Sequence, residues 1–513
     1  MTPGEHVSVA VVGGGPTGIT TATLLGQYGI DTLVLDRWPQ VYPQPRAVHL
    51  DDEVYRILAR LGVADAFAAI TRPAKGLRLV DRHHGVLAEF SRDTTPTRNG
   101  FPAANMFDQP ALEKLLRDNL TRLPNVRMRG DTEVFAVTGR ADGVELRVRD
   151  RVTGGESRIT ADYVLGCDGA NSTVRAAIGT TMRSLRFDQR WLVIDIACTA
   201  DLHQWEGVHQ VCDSRRAGTY MRIGPNRYRW EFALAHQESV DDYATLAQLR
   251  PLIEPWTRGI ADADLQLLRV AEYTFRAQIA DRWRSGRVFL LGDAAHLTPP
   301  FIGQGMGAGL RDAMNLAWKI AGHHRAGLPA SVLDSYETER SRHTRQMISL
   351  ALNVGRAMTA GGEFGTLVRR LVVPRVHLLP GLREKITDSA TPPLRSSAVV
   401  RRTFGTRRLA GRLCPNPVLA TGRRLDDELG RGFGVVTTKP LAPDLQRVVD
   451  ARGAQTVLAA PGEELACWLG QHRVIGAVVR PDGTVMVAGR DLSALCRALP
   501  TFVPAHSGER EVR

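Results

Sequence analysis

Residues 9–29, VAVVGGGPTGITTATLLGQYG, set three consecutive glycines between an apolar run and a helix-forming stretch. Val7 to Val12 reads as a buried strand and Ile19 to Tyr28 as a helix, with the glycines at the turn between them. Gly13, Gly15 and Gly18 fall on the G-x-G-x-x-G spacing. The first glycine of such a turn permits the tight bend, the second lets backbone approach a pyrophosphate, and the third packs helix on strand. Free N–H groups and the dipole at the helix start favour phosphate there. A second apolar strand, DTLVLDR, ends in Asp36, about where an acidic side chain accepts from a ribose 2′-OH. The pattern predicts a dinucleotide cradle. An acid at that position argues against a 2′-phosphate, leaving FAD or NAD rather than NADP as the resident molecule.

At 513 residues the chain has room for two or three domains. Lys plus Arg exceed Asp plus Glu by 66 to 54, a net charge of +12, and much of the excess lies in RRLVVPR, VVRRTFGTRR and TGRR after residue 365. These runs lack aromatic interleaving and any nucleic-acid module, so they read as solvated surface that helps attract anionic substrates or NADPH. The six cysteines, Cys167, Cys198, Cys212, Cys414, Cys467 and Cys496, form no C-x-x-C or metal-type pair, which points away from zinc and dithiol chemistry. With no metal or nucleic-acid signal, no room for a signal peptide before the first strand and no apolar run near the roughly 20 residues of a membrane span, the expectation is a cytoplasmic protein without membrane partners.

Two further strand-turn-helix signals follow. In ADYVLGCDGANSTVRAAIG, Asp168 and Gly169 make a turn after an apolar strand. In RVFLLGDAAHLTPPFIGQGMGAGLRDAMNLAWKIA, Asp293 ends a buried strand, and a proline-containing loop leads through Gly303, Gln304 and Gly305 into a helix expected from about Gly309. An aspartate so placed can accept from a ribitol or ribose hydroxyl.

With GGGPTG, CDGANSTVR and LLGDAAHLTPPFIGQG in this order, residues 7–360 resemble the single-component FAD-dependent aromatic hydroxylases typified by para-hydroxybenzoate hydroxylase. PRAVHLDDE, NMFDQPALEKLL and SYETERSRHT look most like the 3-(3-hydroxyphenyl)propionate hydroxylases, features shared with enzymes that tailor polyketides and antibiotics. The resemblance implies an α/β fold: a Rossmann-like FAD-binding domain, an inserted β-sheet substrate domain and a C-terminal thioredoxin-like domain. The expected boundaries are 1–180 for the first FAD-domain part, with substrate-domain strands near 75–100, then 181–279 for the insert and 280–360 for the second FAD-domain part. A linker over 361–400 and the thioredoxin-like unit over 401–513 complete the chain. Lacking C-x-x-C, that last unit is expected to serve scaffolding or dimerisation, and a homodimer is one assembly it allows.

By the same resemblance Gly13, Gly15 and Gly18 hold the FAD pyrophosphate and Asp36 the adenosine ribose. Arg46 contacts FAD, Gln109 touches the ribityl chain, Asp168 serves FAD and nicotinamide, and Asp293 contacts the ribose-like chain. Pro299 and the Gly303 to Gly305 loop flank the flavin ring. Gly307 is counted with the cofactor-binding residues through its backbone; it stands where the family often has Asn, so any side-chain contribution at that place is absent. Arg46, His49 and Pro299 are the candidate catalytic residues; His296 reads as structural more readily than chemical.

Within the insert, WLVIDIAC, GTYMRI and RYRWEFAL read as strands. Tyr228, Trp230, Phe232 and Leu234 alternate with Arg229, Glu231 and Ala233, giving one aromatic and one polar face. Tyr220 and Arg222, with Trp230 and Phe232, are the candidate substrate contacts, with sheet-core packing as the alternative for the aromatic face. The implied chemistry is hydroxylation of a phenolic ring through a flavin C4a-hydroperoxide, with NADPH or NADH and dioxygen as co-substrates. A 3-(3-hydroxyphenyl)propionate-like acid and a polycyclic polyketide or antibiotic stand as alternative substrates. A disulfide oxidoreductase would need an early C-x-x-x-x-C and a halogenase W-x-W-x-I-P; neither is present. A non-enzymatic FAD-binding protein is the alternative of another class.

Overall fold

The computed structural model describes residues 5–42, 46–213, 215–359, 391–402 and 409–503. Its first sheet has eight strands built around the two apolar runs that flank the glycine turns. Glu5–Val12 lies between Thr32–Leu35 and Glu156–Gly166, all parallel, and Val288–Leu290 adds in parallel beyond the last of these. The central residues Val7, Val9, Ala10 and Val11 are fully buried, as strands covered on both faces require. Helices Pro16–Gln27 and Gly305–Ala326 pack against each other on this sheet. The second helix starts four residues earlier than its sequence suggests, directly at the glycine loop.

The second eight-stranded sheet, the substrate sheet of the expected domain plan, holds the inserted strands. Met182–Cys198 and Leu265–Ala280 form its long antiparallel pair, and Arg227–Ala233, Gly218–Arg222 and Val208–Val211 extend it. Gly76–Val80 and Val86–Ser91 close one edge, and His296–Leu297 closes the other. Helix Leu246–Thr257, opened by a Thr245/Gln248 capping box, covers one face. Its Leu249, Ile253 and Trp256 pack on Tyr220, Tyr228, Trp230 and Phe232.

The C-terminal unit is a four-stranded sheet in the order Gln455–Leu458, Gly434–Thr437, Gly476–Val479, Val485–Gly489, the first pair parallel and the others antiparallel. With helices Pro443–Ala451, Glu464–Gln471 and Leu492–Ala498 it gives a βαβ-ββα arrangement, the thioredoxin-like topology. The linker expected over 361–400 lies outside the described residues up to 390, and the remainder corrects it. Leu394, Val399 and Val400 are buried, because this stretch packs on the C-terminal unit instead of spanning solvent.

A buried ionic network joins that unit to the rest. Glu339 accepts from Lys319 Nζ at 2.8 Å, Asn315 Nδ2 at 2.8 Å, Arg480 Nη1 at 2.9 Å and Ser397 Oγ at 2.6 Å. Arg480 is also paired with Asp482. Nearby, Arg56 makes a two-pronged contact with Asp426, each bond 2.6 Å. Burial pushes the Glu339 carboxyl up, but Arg480 and Lys319 overcome it and hold it at about 2. Replacing Glu339 by Gln leaves two buried cations short of a counter-charge, and the expected loss is about 3–5 kcal/mol, read from the urea midpoint. Because the folded pKa is depressed, Glu339 contributes its full stabilisation above the ordinary value of 4.5 and loses it as pH falls toward 2. Acid titration of unfolding should therefore show a smaller stability loss across that window in Glu339→Gln; an equal loss in both proteins counts against the network.

Candidate active site

A cavity of about 580 Å³ lies where the parallel sheet meets the substrate sheet. Gly15, Cys167 with Gly169, and Leu291 with Asp293 line it; each group follows the carboxyl end of one of three adjacent parallel strands. Open α/β sheets bind ligands at this edge.

Two helices begin at the cavity. Neither Pro16–Gln27 nor Gly305–Ala326 has a side-chain cap or an acidic residue in its first turn, so the helices themselves supply no anion to their leading N–H groups and positive dipole ends. A β-carbon built on Gly15 or on Gly305 would meet nothing within 4 Å. Gly13, by contrast, is packed: its φ is +102° and a β-carbon would sit 2.3 Å from the Cys167 carbonyl oxygen. Gly303 holds φ +61° against the His49 ring, turning the chain into the second helix. Asp293 accepts no hydrogen bond from a described residue and is exposed on the cavity lining, where desolvation pushes its carboxyl pKa up. Two uncapped helix starts and an acceptor awaiting a donor fit a group that carries phosphates and ribityl hydroxyls, as FAD does. Gly15 and Thr17 would hold the pyrophosphate, Asp293 the ribityl chain and Gly303 to Gly305 the ring.

Of the residues expected from sequence, Gly15, Arg46, His49, Gln109, Asp293, Gly303 and Gly305 meet on this lining. Gln109, at the start of helix Gln109–Leu120, accepts from the Arg46 and Ala47 N–H groups and donates to Glu113 at 2.6 Å, so it fixes the loop carrying Arg46.

Others stand behind the wall. Gly13 and Gly18 shape the turn from within. Asp36 already accepts from Gly14 N at 3.0 Å, Trp38 N at 3.0 Å and Arg117 Nη2 at 3.2 Å. Arg117, which the sequence did not single out, also bonds the Gly14 carbonyl. Asp168 accepts from Ser172 Oγ and Val174 N, capping helix Thr173–Ala177, so Gly169 and Ala170 form the wall in its place. Pro299 is buried and Pro300 lines the cavity instead, because the short 3-10 turn Pro300–Ile302 swings the preceding proline inward. Gly307 lies inside its helix, where Arg311 and Val54 occupy the space a side chain would need. His296 is fully buried on Asp312 at 2.7 Å, outside the lining.

The substrate side needs a correction. Tyr220, Trp230 and Phe232 point away from the cavity into the core beneath helix Leu246–Thr257. Arg222 also points away, paired with Asp201 and Glu206 at 3.0 Å each. The physical reason is the helix: its apolar face claims the aromatic side of the strands, and period-two alternation then sends Thr219, Met221, Arg229 and Glu231 to the cavity. The sequence displayed that alternation without saying which face the helix would cover. Trp191, Phe275 and Phe301 add the aromatic surface.

Burial, with the charge of Arg92, lowers the His49 pKa to about 4, so its imidazole is neutral near pH 7. Arg229 is spent on Asp195, at 2.7 and 2.9 Å, and on the Arg46 carbonyl at 3.0 Å. Burial raises the pKa of cavity-facing Glu231.

A family model described as the FAD binding domain matches residues 6–351. The chain belongs to the FAD-dependent aromatic hydroxylases. It is 32% identical to the 3-(3-hydroxy-phenyl)propionate/3-hydroxycinnamic acid hydroxylase of Burkholderia cenocepacia (strain HI2424), over 99% of this chain and 98% of that one. It is also 32% identical to a probable NADH-specific resorcinol 4-hydroxylase of Rhodococcus jostii (strain RHA1), covering 98% and 95%. Among solved structures, aklavinone-11 hydroxylase in ternary complex with FAD and aklavinone superposes with TM-score 0.79 at 23% identity, covering 97% of this chain and 100% of that one. The hydroxylase is thus a flavoprotein monooxygenase that uses NAD(P)H. No helix among its described residues is long and apolar enough to cross a membrane.

Gly15→Val of this hydroxylase should fold, since its side chain starts in open space, yet hold the pyrophosphate off the helix N–H groups. Losing two charge-assisted hydrogen bonds weakens FAD about 100-fold or more, measured as the ratio of absorbance at 450 and 280 nm. A variant that purifies with a full flavin complement would disprove the placement.

Proposed function

We propose that the protein hydroxylates a small phenolic ring of the 3-(3-hydroxyphenyl)propionate class. One observation carries this reading: the cavity that starts at the two helix N-termini ends on the substrate sheet in an aromatic wall with cations beside it. Trp191, Phe275, Phe301 and Met221 supply flat apolar surface, and Arg92 and Arg276 supply positive charge. Full-length relatives named for phenylpropanoid acids and resorcinol support a single ring over the polycyclic alternative. The solved structure of aklavinone-11 hydroxylase is 23% identical, a likeness of fold.

Bound FAD supplies the redox chemistry, accepting hydride from NAD(P)H and delivering one atom of dioxygen to the ring. The chain's own residues do the rest. The apolar wall keeps water from the reacting face. The neutral His49 imidazole lines the cavity without adding a charge, and the Gln109-held loop keeps Arg46 beside it. Arg92 and Arg276 favour a substrate acid group.

The test follows NADH and NADPH oxidation with 3-(3-hydroxyphenyl)propionate, its decarboxylated counterpart 3-ethylphenol, and a polycyclic phenol, with mass spectrometry of the product. The expected result is fastest oxidation with the acid and a product heavier by one oxygen. Equal rates for the acid and 3-ethylphenol would remove the carboxylate from the substrate description, and turnover of the polycyclic phenol alone would replace the reading.

A further inference from the structure

We propose that Glu231 is the hydrogen-bond acceptor for the hydroxyl of the aromatic substrate, an inference that rests on the hydroxylase reading above. Glu231 sits mid-strand, in register with Thr219 on one side and Val193 on the other, and all three line the cavity. It is 9% exposed, and that exposure faces the cavity.

No described residue donates a hydrogen bond to it. Its nearest cation is Arg229, whose Nη1 is 3.9 Å away and whose guanidinium already serves Asp195 and the Arg46 carbonyl. The other donors on this face are committed as well. Thr219 Oγ1 donates to Gln210 Oε1 at 3.1 Å, and Gln210 Nε2 donates to the Gly218 carbonyl at 3.0 Å. A buried carboxylate without a donor is costly, and a donor among the cavity's contents removes that cost and favours the charged acceptor over the protonated acid.

A phenol hydroxyl fits that need, whereas a substrate carboxylate would be repelled. The polar floor therefore orients the ring: hydroxyl toward Glu231, any acid group toward the arginines. Donating to a carboxylate leaves the phenol oxygen more negative and raises electron density at the ring carbons ortho and para to it. Those carbons are the ones that attack an electrophilic oxygen, and the phenol keeps its proton until they do.

The experiment uses the FAD-loaded enzyme, with ligand binding read from perturbation of the flavin absorbance. Wild type, Glu231→Gln and Glu231→Leu are titrated with 3-(3-hydroxyphenyl)propionate, its 3-methoxy analogue and 3-phenylpropionate. Wild type should prefer the phenol. Glu231→Leu should weaken phenol binding about 10- to 100-fold, the value of a hydrogen bond to a charged group, while the two analogues that cannot donate bind as before or more tightly. Glu231→Gln, which keeps a neutral acceptor and leaves Arg229 its Asp195 partner, should fall between and carry full flavin. A preference for the phenol that survives in both variants, or an equal weakening of all three ligands, overturns the assignment while leaving the hydroxylase reading intact. A wild type whose flavin responds to no phenol overturns both.

Discussion

Two consecutive residues of one helix, Arg311 and Asp312, hold the loops on either side of the cavity. Successive helical residues point about 100° apart, so each charge reaches a different neighbour. Arg311 bonds Asp51 and Gln304 and pairs with Glu53, tying the strand that carries His49 to the glycine loop that starts the helix. Asp312 accepts from Gly292 N at 3.0 Å, His296 at 2.7 Å and Arg340 at 2.8 Å, tying in the loop that carries Asp293. All of these groups but the part-exposed Glu53 are buried, and each charge has a partner of opposite charge or a hydrogen-bonding group. Such a network is rigid because any partial opening leaves a charge without its partner in a medium of low dielectric.

The FAD side of the molecule was legible because its signals are local. A turn that needs positive φ at Gly13 and a helix that starts within three residues of it are written in adjacent letters. The same holds for the strand Val288–Leu290 and the turn after it that carries Asp293. Residues whose partners are distant were not legible. Arg117 reaches Gly14 and Asp36 from 103 and 81 residues away. Asp168 was ambiguous for a local reason: its carboxylate serves the helix that starts five residues on. An isolated Asp-Gly reads the same whether it caps a helix or meets a ligand.

The substrate sheet shows a different kind of limit. RYRWEFA alternates cleanly, and alternation fixes that two faces exist without fixing which one is wet. Covering the aromatic face took helix Leu246–Thr257, whose apolar residues lie some twenty positions downstream. Once that helix is placed, the cavity receives the polar face, and the wall acquires a carboxylate where an aromatic roof was expected. The aromatic surface comes instead from Trp191, Phe275 and Phe301, on the flanking strands and the glycine-loop approach.

Gly307 follows from the same economy of space. A β-carbon at that position would lie 2.9 Å from Arg311 Nη1 and 2.9 Å from Val54 Cγ2. An arginine tip can usually swing aside, but here Asp51, Glu53 and Gln304 hold it, and moving it would strand buried carboxylates. A side chain at 307 and the Arg311 network in this arrangement exclude one another. Glycine at 307 is therefore what lets a guanidinium occupy the space behind the Gly303 to Gly305 loop, where it forms an ion pair beneath the cavity wall.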